Sequence, residues 1–173
     1  MSNAIISPES IIVRRLRPDE LLSFKQFLLD LDDNTRRDRF CGTVSDTFIA
    51  QYAEETWQAG TLLIGTFAEG RLCGVAELHP AGADRTGEAA FAVRPEFRKR
   101  GMGSSLLTAI LLAAEAKGYQ RIRTACLPAN AAMRQLARKA GAALHIQIDE
   151  VMGEIPVPLP VDPSEGVRSY KVP

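Results

Sequence analysis

A change of hydrophobic period at Gly101 limits the folds open to this chain more than any other feature. Before it, "TLLIGTFAEGRLCGVAELHP" reads as two strands around Glu69-Gly70, and "TGEAAFAVRP" as a third strand ended by Pro95. After it, Met102, Leu106, Leu107, Ile110, Leu111 and Ala114 recur at helical spacing, with Gly118 as a C-terminal stop. Three strands with short connections make an antiparallel meander, and the long amphipathic helix packs on it. "RIRTACL" then reads as a short buried strand, and "NAAMRQLARKAG" as a helix opened by Asn130 and closed near Gly141. "AALHIQIDEV" returns to period two and is expected as one strand.

Upstream, "IIVRRLR" has the β-branched start of a strand, and Pro18 opens a helix in "PDELLSFKQFLLDLD". "DDNTRRDRFCGTVS" has no clean period and reads as a loop, after which Asp46 is placed to cap a helix with Ile49, Tyr52, Ala53 and Trp57 on its apolar face. The expectation is one domain over residues 11–157, of α/β (α+β) class, with a mostly antiparallel mixed sheet of six to seven strands and about four helices on both faces. Residues 1–10 are expected to be flexible, and the proline-rich 158–173 extended or disordered. An edge strand is expected where the tail begins, near Ile155.

The chain has 173 residues, enough for one sizeable core, and its 21 Lys+Arg balance 21 Asp+Glu. No global field would hold nucleic acid or an anionic membrane, so any anion site is local. Cys41, Cys73 and Cys126 are far apart without a C-x-x-C pair, which speaks against a disulfide framework and suits a reducing cytoplasm. With only His79 and His145 to add imidazole, no metal site is expected. The longest apolar runs are too short for a bilayer, and "MSNAIISPES" lacks the features of a secretory signal.

One local site stands out. In "FRKRGMGSSLL", Arg98, Lys99 and Arg100 precede a helix start, where aligned peptide dipoles repel cations. Free N–H groups of a first turn bind anions, and Gly101 and Gly103, followed by Ser104, let a polyanion approach them. A bound pyrophosphate turns the charge conflict into attraction; a basic turn without a ligand is the plainer alternative. G-x-x-x-x-G-K-[ST] is absent, and G-x-G-x-x-G fails because Leu106 stands where its third glycine belongs.

What remains, R-x-x-G-x-G after an antiparallel strand, resembles motif A of the GCN5-related N-acetyltransferase (GNAT) superfamily. "NAAMRQLARKAGA" is similar to that family's motif B, with Asn130 at a position that meets the pantetheine region, and the order of elements from Ile11 to Val157 follows the family's fold. The resemblance implies acetyl-CoA as cosubstrate, with its diphosphate at Arg98, Lys99, Arg100, Gly101, Met102, Gly103 and Ser104 and its pantetheine arm on the backbone of Phe91, Ala92 and Val93. The Val93 amide is the implied oxyanion donor. The family's frequent leaving-group tyrosine aligns with Ala137, and Tyr119 and Tyr170 match no motif that would replace it.

A lysine amine, with a pKa near ~10.4, is mostly protonated at neutral pH, a cost of about 4 kcal/mol that a carboxylate can lower. Glu88 matches the catalytic glutamate of protein-acetylating members, and Glu77 on the preceding strand is the alternative base. His79 reads as a strand-end polar residue. "DDNTRRDRFCGTVSDTFIAQYAE" with motif B resembles bacterial Pat-type protein lysine acetyltransferases, which implies a cytoplasmic enzyme acting on an amine, with a protein lysine as a candidate and a homodimer admitted. Arg36, Arg37 and Arg39 read as a solvated loop, or as a contact to an acidic protein or to the adenine-side phosphate. A polyamine or aminoglycoside acetyltransferase and a non-catalytic acyl-CoA sensor remain open. A nucleic-acid domain using Arg98 to Arg100 is disfavoured by the neutral charge and sparse aromatics.

Overall fold

The computed structural model describes residues 11–80 and 82–157. The segments 1–10 and 158–173, for which flexibility and an extended tail were expected, lie outside the described residues. The chain opens with β1 (Ile12–Arg15), a 3-10 turn at Pro18–Glu20 and α1 (Leu21–Leu29), followed by α2 (Asp33–Phe40) and α3 (Asp46–Gln58). Pro18 fits the first position of its turn because the N–H it lacks would have no partner there.

β2 (Leu62–Ala68), β3 (Arg71–His79) and β4 (Thr86–Val93) form the expected meander. Glu69 and Gly70 both take positive φ, 51° and 77°, which matches the twist of the β2–β3 hairpin. α4 (Met102–Ala116), β5 (Arg121–Cys126), α5 (Ala131–Lys139), β6 (Ala143–Gln147) and β7 (Glu150–Pro156) complete the order.

The seven strands form one sheet in the order β1-β2-β3-β4-β5-β7-β6, antiparallel at every pair except β4 with β5. All six periodic residues of α4, from Met102 to Ala114, are buried. Five of them, Leu106 to Ala114, join Ile64, Ala76, Leu78 and Ala89 in the core under one face. On the other face Phe24, Phe27 and Leu28 of α1 and Ile49 and Ala53 of α3 pack on Leu63, Val75 and Ala92.

Three local expectations change. First, the segment expected as a loop contains α2. Asp32 caps it by accepting from the Thr35 N–H at 2.7 Å, and Cys41 ends it at φ 51°. It shows no apolar period because it docks through hydrogen bonds. Arg36 donates to Leu31 O at 3.0 Å, to Leu29 O and to Asp46 at 2.6 Å, so this arginine is not part of a solvated loop. Second, Ser45 caps α3, accepting from the Phe48 N–H at 3.1 Å, and Asp46 occupies the first helical position.

Third, "AALHIQIDEV" is a hairpin whose strands β6 and β7 meet at Gln147↔Glu150. Its turn holds Ile148 at φ 56°, a conformation that β-branched residues resist, so nothing in the residue types announces it. Ile155 consequently lies inside β7, between β5 and β6, and the edge position falls to β6.

Candidate active site

β4 and β5 pair in parallel at Thr86↔Arg121, Gly87↔Ile122 and Glu88↔Arg123, and the ladder stops there although both strands continue. Gln120 N–H donates to Arg85 O on this side of β4, while Arg94 N–H donates to Cys73 O on the β3 side. By the alternation of strand hydrogen bonding, the backbone groups of Phe91 and Val93 therefore face the gap that opens between β4 and β5.

At the far end of that gap lies the start of α4. Gly101 adopts φ 80°, a left-handed conformation that favours glycine, and no side chain caps the helix. The first intrahelical bond is from Ser105 N–H to Gly101 O at 3.0 Å, which leaves the N–H groups of Met102, Gly103 and Ser104 for a ligand. A Cβ on Gly103 would meet only Leu136 Cδ2, at an ordinary 3.6 Å. Packing thus leaves room for a side chain at Gly103.

These parts border one cleft of about 500 Å³. Phe91, Ala92, Val93, Arg98, Lys99, Gly101, Met102, Gly103, Ser104 and Asn130 all line it. Arg100 does not, and its guanidinium lies 5.3 Å from the Phe97 ring centroid. Arg98 donates to Val93 O at 3.2 Å and to Thr35 Oγ1 at 2.6 Å, so it ties the glycine turn to α2. The Met102 side chain is buried, leaving its backbone for a ligand. Asn130 Oδ1 caps α5 by accepting from the Met133 N–H at 3.0 Å, and the residue also borders the cleft.

A second cavity, of about 330 Å³, lies on the α2–α3 side of the sheet. Glu88 lines it together with His79, Tyr52, Arg123 and Glu150. Glu88 is exposed, and no hydrogen bond or ion pair among the described residues engages its carboxylate. Arg39 borders both cavities and is a wall that they share.

Glu77 sits in a different environment. Its side chain is 2% exposed and accepts from Arg39 Nη2 at 2.6 Å and from the Tyr52 hydroxyl at 2.6 Å, with His79 Nε2 at 3.3 Å. Burial pushes its carboxyl pKa up, but Arg39 and the bonds from His79 and Tyr52 outweigh that and hold it below the usual carboxylate range. Burial first, and then the charge of Glu77, push the Tyr52 hydroxyl up to about 12. His79 is paired after all, through Glu77 and through Nδ1 to Thr61 Oγ1 at 3.2 Å.

Ala137, at the position of the family's tyrosine, is buried; a Cβ on Gly153 of β7 would lie 3.7 Å from it. Tyr119 covers Gly87, and Tyr170 lies outside the described residues. No group of three or more potential metal ligands occurs among the described residues, and none of their helices is long and apolar enough to cross a membrane.

The model of the acetyltransferase (GNAT) family matches residues 28–142, more than half of the chain. The chain belongs to this family. The chain is thus an acetyltransferase by family. Over 76 residues it is 38% identical to the acetyltransferase Pat of Mycolicibacterium smegmatis, a match spanning 43% of this chain and 22% of that protein. The GNAT domain of S. lividans PAT superposes with a TM-score of 0.71 at 20% identity, covering 86% of this chain and 97% of that one. The PaiA N-acetyltransferase of Thermoplasma acidophilum, solved with coenzyme A, gives a TM-score of 0.64 at 19% identity, covering 85% of this chain and 99% of that one. At such identities the two structures speak for a shared fold.

Reading the sequence alone misses α2 as a functional wall. Thr35, Asp38 and Arg39 border the larger cleft, and Arg39, Phe40 and Cys41 border the smaller cavity. The one signal for it is the capping pair Asp32 and Thr35, which marks a helix start without any apolar period.

Proposed function

We propose that the acetyltransferase transfers acetyl from acetyl-CoA to a protein lysine by direct attack in a ternary complex, with Glu88 as general base. The observation that carries this reading is the placement of an exposed carboxylate, Glu88, in a cavity that shares Arg39 as a wall with the larger cleft. The diphosphate is held by the N–H groups of Met102, Gly103 and Ser104, with Arg98 and Lys99 beside it. The pantetheine arm follows β4 and bonds the Phe91 carbonyl and the Val93 N–H, which β5 leaves without a strand partner, while the Val93 carbonyl accepts from Arg98. Glu77 is not chosen as base, because its carboxylate is already committed to Arg39, Tyr52 and His79.

The oxyanion donor follows from distance. Val93 lies five residues from Glu88 on an extended strand, about 17 Å away. Phe91, two residues nearer and facing the same gap, is therefore the amide that we assign to the thioester oxygen in place of Val93. The neutral amine attacks the thioester carbon, its proton passes to Glu88 directly or through one water, and the C–S bond breaks. With Ala137 where the family often has tyrosine, and with Tyr52 a weak acid bonded to Glu77, the thiolate takes its proton from solvent.

The protein-lysine acceptor is supported by the stretch shared with Pat. Thiol release from acetyl-CoA, followed by mass spectrometry of lysine peptides, tests it. Acetyl on the lysine Nζ is expected. Turnover confined to polyamines or aminoglycosides, or CoA binding with no turnover, overturns the acceptor assignment.

The diphosphate assignment makes its own prediction. Gly103→Asp should leave the fold intact, since an acidic side chain suits a helix start, while weakening CoA binding by about tenfold or more through repulsion of the diphosphate. Thermal unfolding and calorimetry measure the two effects. An aspartate variant that binds CoA as well as wild type removes the diphosphate from this helix start.

A further inference from the structure

The smaller cavity has a distribution of charge that catalysis by Glu88 does not explain. Its cations are answered internally: Arg39 by Glu77 at 2.6 Å, and Arg123 by Glu154 at 2.9 Å and Asp84 at 3.8 Å. Its two wall carboxylates differ: Glu88 faces Arg123 across the β4–β5 ladder and acts on its charge, whereas Glu150 has no ion pair among the described residues. The neighbour that Glu150 does have is the Cys41 thiol, whose pKa is pushed up to about 11 by burial first and then by the charge of Glu150. A thiol so placed stays neutral: it hydrogen-bonds the Glu150 carboxylate without cancelling its charge. Asp149, beside Glu150 in the hairpin turn, is exposed and does not line the cavity.

Register fixes where these carboxylates stand. Glu88 is opposite Arg123 on β5, and Val151 is opposite Cys126, so Glu150 lies four residues further along and one strand beyond β5. At a rise of about 3.4 Å per residue and a strand spacing of about 4.8 Å, the two Cα atoms are roughly 17 Å apart. Allowing for both side chains reaching into the cavity, their charges are on the order of 10 Å apart, too far to share one ammonium group. Phe40 and Met152 supply apolar wall to the same cavity.

We infer that Glu150 reads a second positive charge on the acceptor, so that this enzyme favours a lysine with a basic residue one to three positions away. The inference rests on the assignment of this cavity to a protein-lysine acceptor. The lysine side chain points to Glu88 and the thioester, and the flanking cation of the extended peptide meets Glu150. Glu150 is thus a specificity-determining residue and takes no part in the proton transfer.

Two peptides that differ only in carrying arginine or glutamine two residues from the target lysine test this, with wild type, Glu150→Gln and Glu150→Lys. Wild type is expected to acetylate the arginine peptide with about tenfold higher kcat/KM, expressed in KM. Glu150→Gln should abolish the difference, leaving kcat on the glutamine peptide and the KM for acetyl-CoA unchanged. Glu150→Lys should reverse the preference. Equal use of both peptides by wild type, or a preference that survives Glu150→Gln, overturns the role of Glu150 and leaves the protein-lysine reading standing. Acetylation of neither peptide overturns that reading, and this inference with it.

Discussion

Glu88→Gln should lower kcat on a lysine peptide by about 10²–10⁴-fold at neutral pH while leaving CoA affinity within a factor of two. Glutamine keeps the shape of the side chain and removes its capacity to take a proton. Because Glu88 is exposed and has no ion pair or hydrogen bond among the described residues, the substitution breaks nothing on which the fold relies. The role of a base also predicts how the deficit changes with pH. A free lysine amine has a pKa near ~10.4, so towards pH 10 a large share of the acceptor is already neutral and the base has less to contribute. The rate of the variant should climb steeply with pH and narrow the gap to wild type. A variant slowed equally at pH 7 and pH 10, or one that keeps wild-type kcat, removes Glu88 as the base and points to a water-mediated route past His79.

The elements that generate the cofactor cleft are the most legible in the sequence. A period of two giving way to 3.6 at Gly101 identifies the β4–α4 junction, and the cations against a helix start signal an anion from the residue types alone. That expectation can be formed because the charge conflict is local in sequence: Arg98, Lys99 and Gly101 bear on each other through a few bonds. What stays hidden is long-range. Arg39 and Glu77 are 38 positions apart, and their pairing is a consequence of α2 lying against β4, from where Arg39 reaches Glu77 on β3. A helix that docks through Arg36 and Arg39 has no apolar stripe to betray it, so the segment reads as a loop.

The hairpin at Ile148 is hidden for the opposite reason, since its turn uses a residue that turn chemistry argues against. The parting of β4 from β5 is likewise invisible, although the residues flanking it carry the family resemblance. Strand signals tell which segments are extended and say little about where two of them stop pairing. For that reason the resemblance points the pantetheine arm to Phe91, Ala92 and Val93 together, whereas the separation of Phe91 and Val93, which face the gap, from Ala92, which faces β3, depends on the observed ladders.

Arg39→Met should destabilise the protein by about 3–5 kcal/mol at neutral pH, because it leaves the Glu77 carboxylate buried without its cation. Arg39 has 7% of its side chain exposed and Glu77 2%, so water offers little relief to the anion that remains. The dependence on pH identifies the cause. In wild type the folded-state pKa of Glu77 is depressed, so its contribution to stability is complete above its unfolded value, near ~4.3, and is lost as pH falls below that. Without Arg39, burial dominates and raises the folded-state pKa above the unfolded one. Glu77 then takes up a proton on folding, and the variant gains stability as pH drops from 7.5 towards 4.5 while wild type does not. Combining Arg39→Met with Glu77→Gln removes the uncompensated charge and keeps an acceptor for Tyr52, so most of the loss should be recovered at neutral pH. Denaturant unfolding of the three proteins at the two pH values decides the matter. If the single variant loses less than about 1 kcal/mol, or follows the pH trend of wild type, the pair does not carry the docking of α2, and the shared wall between the two cavities must be held by Arg36 and Thr35 instead.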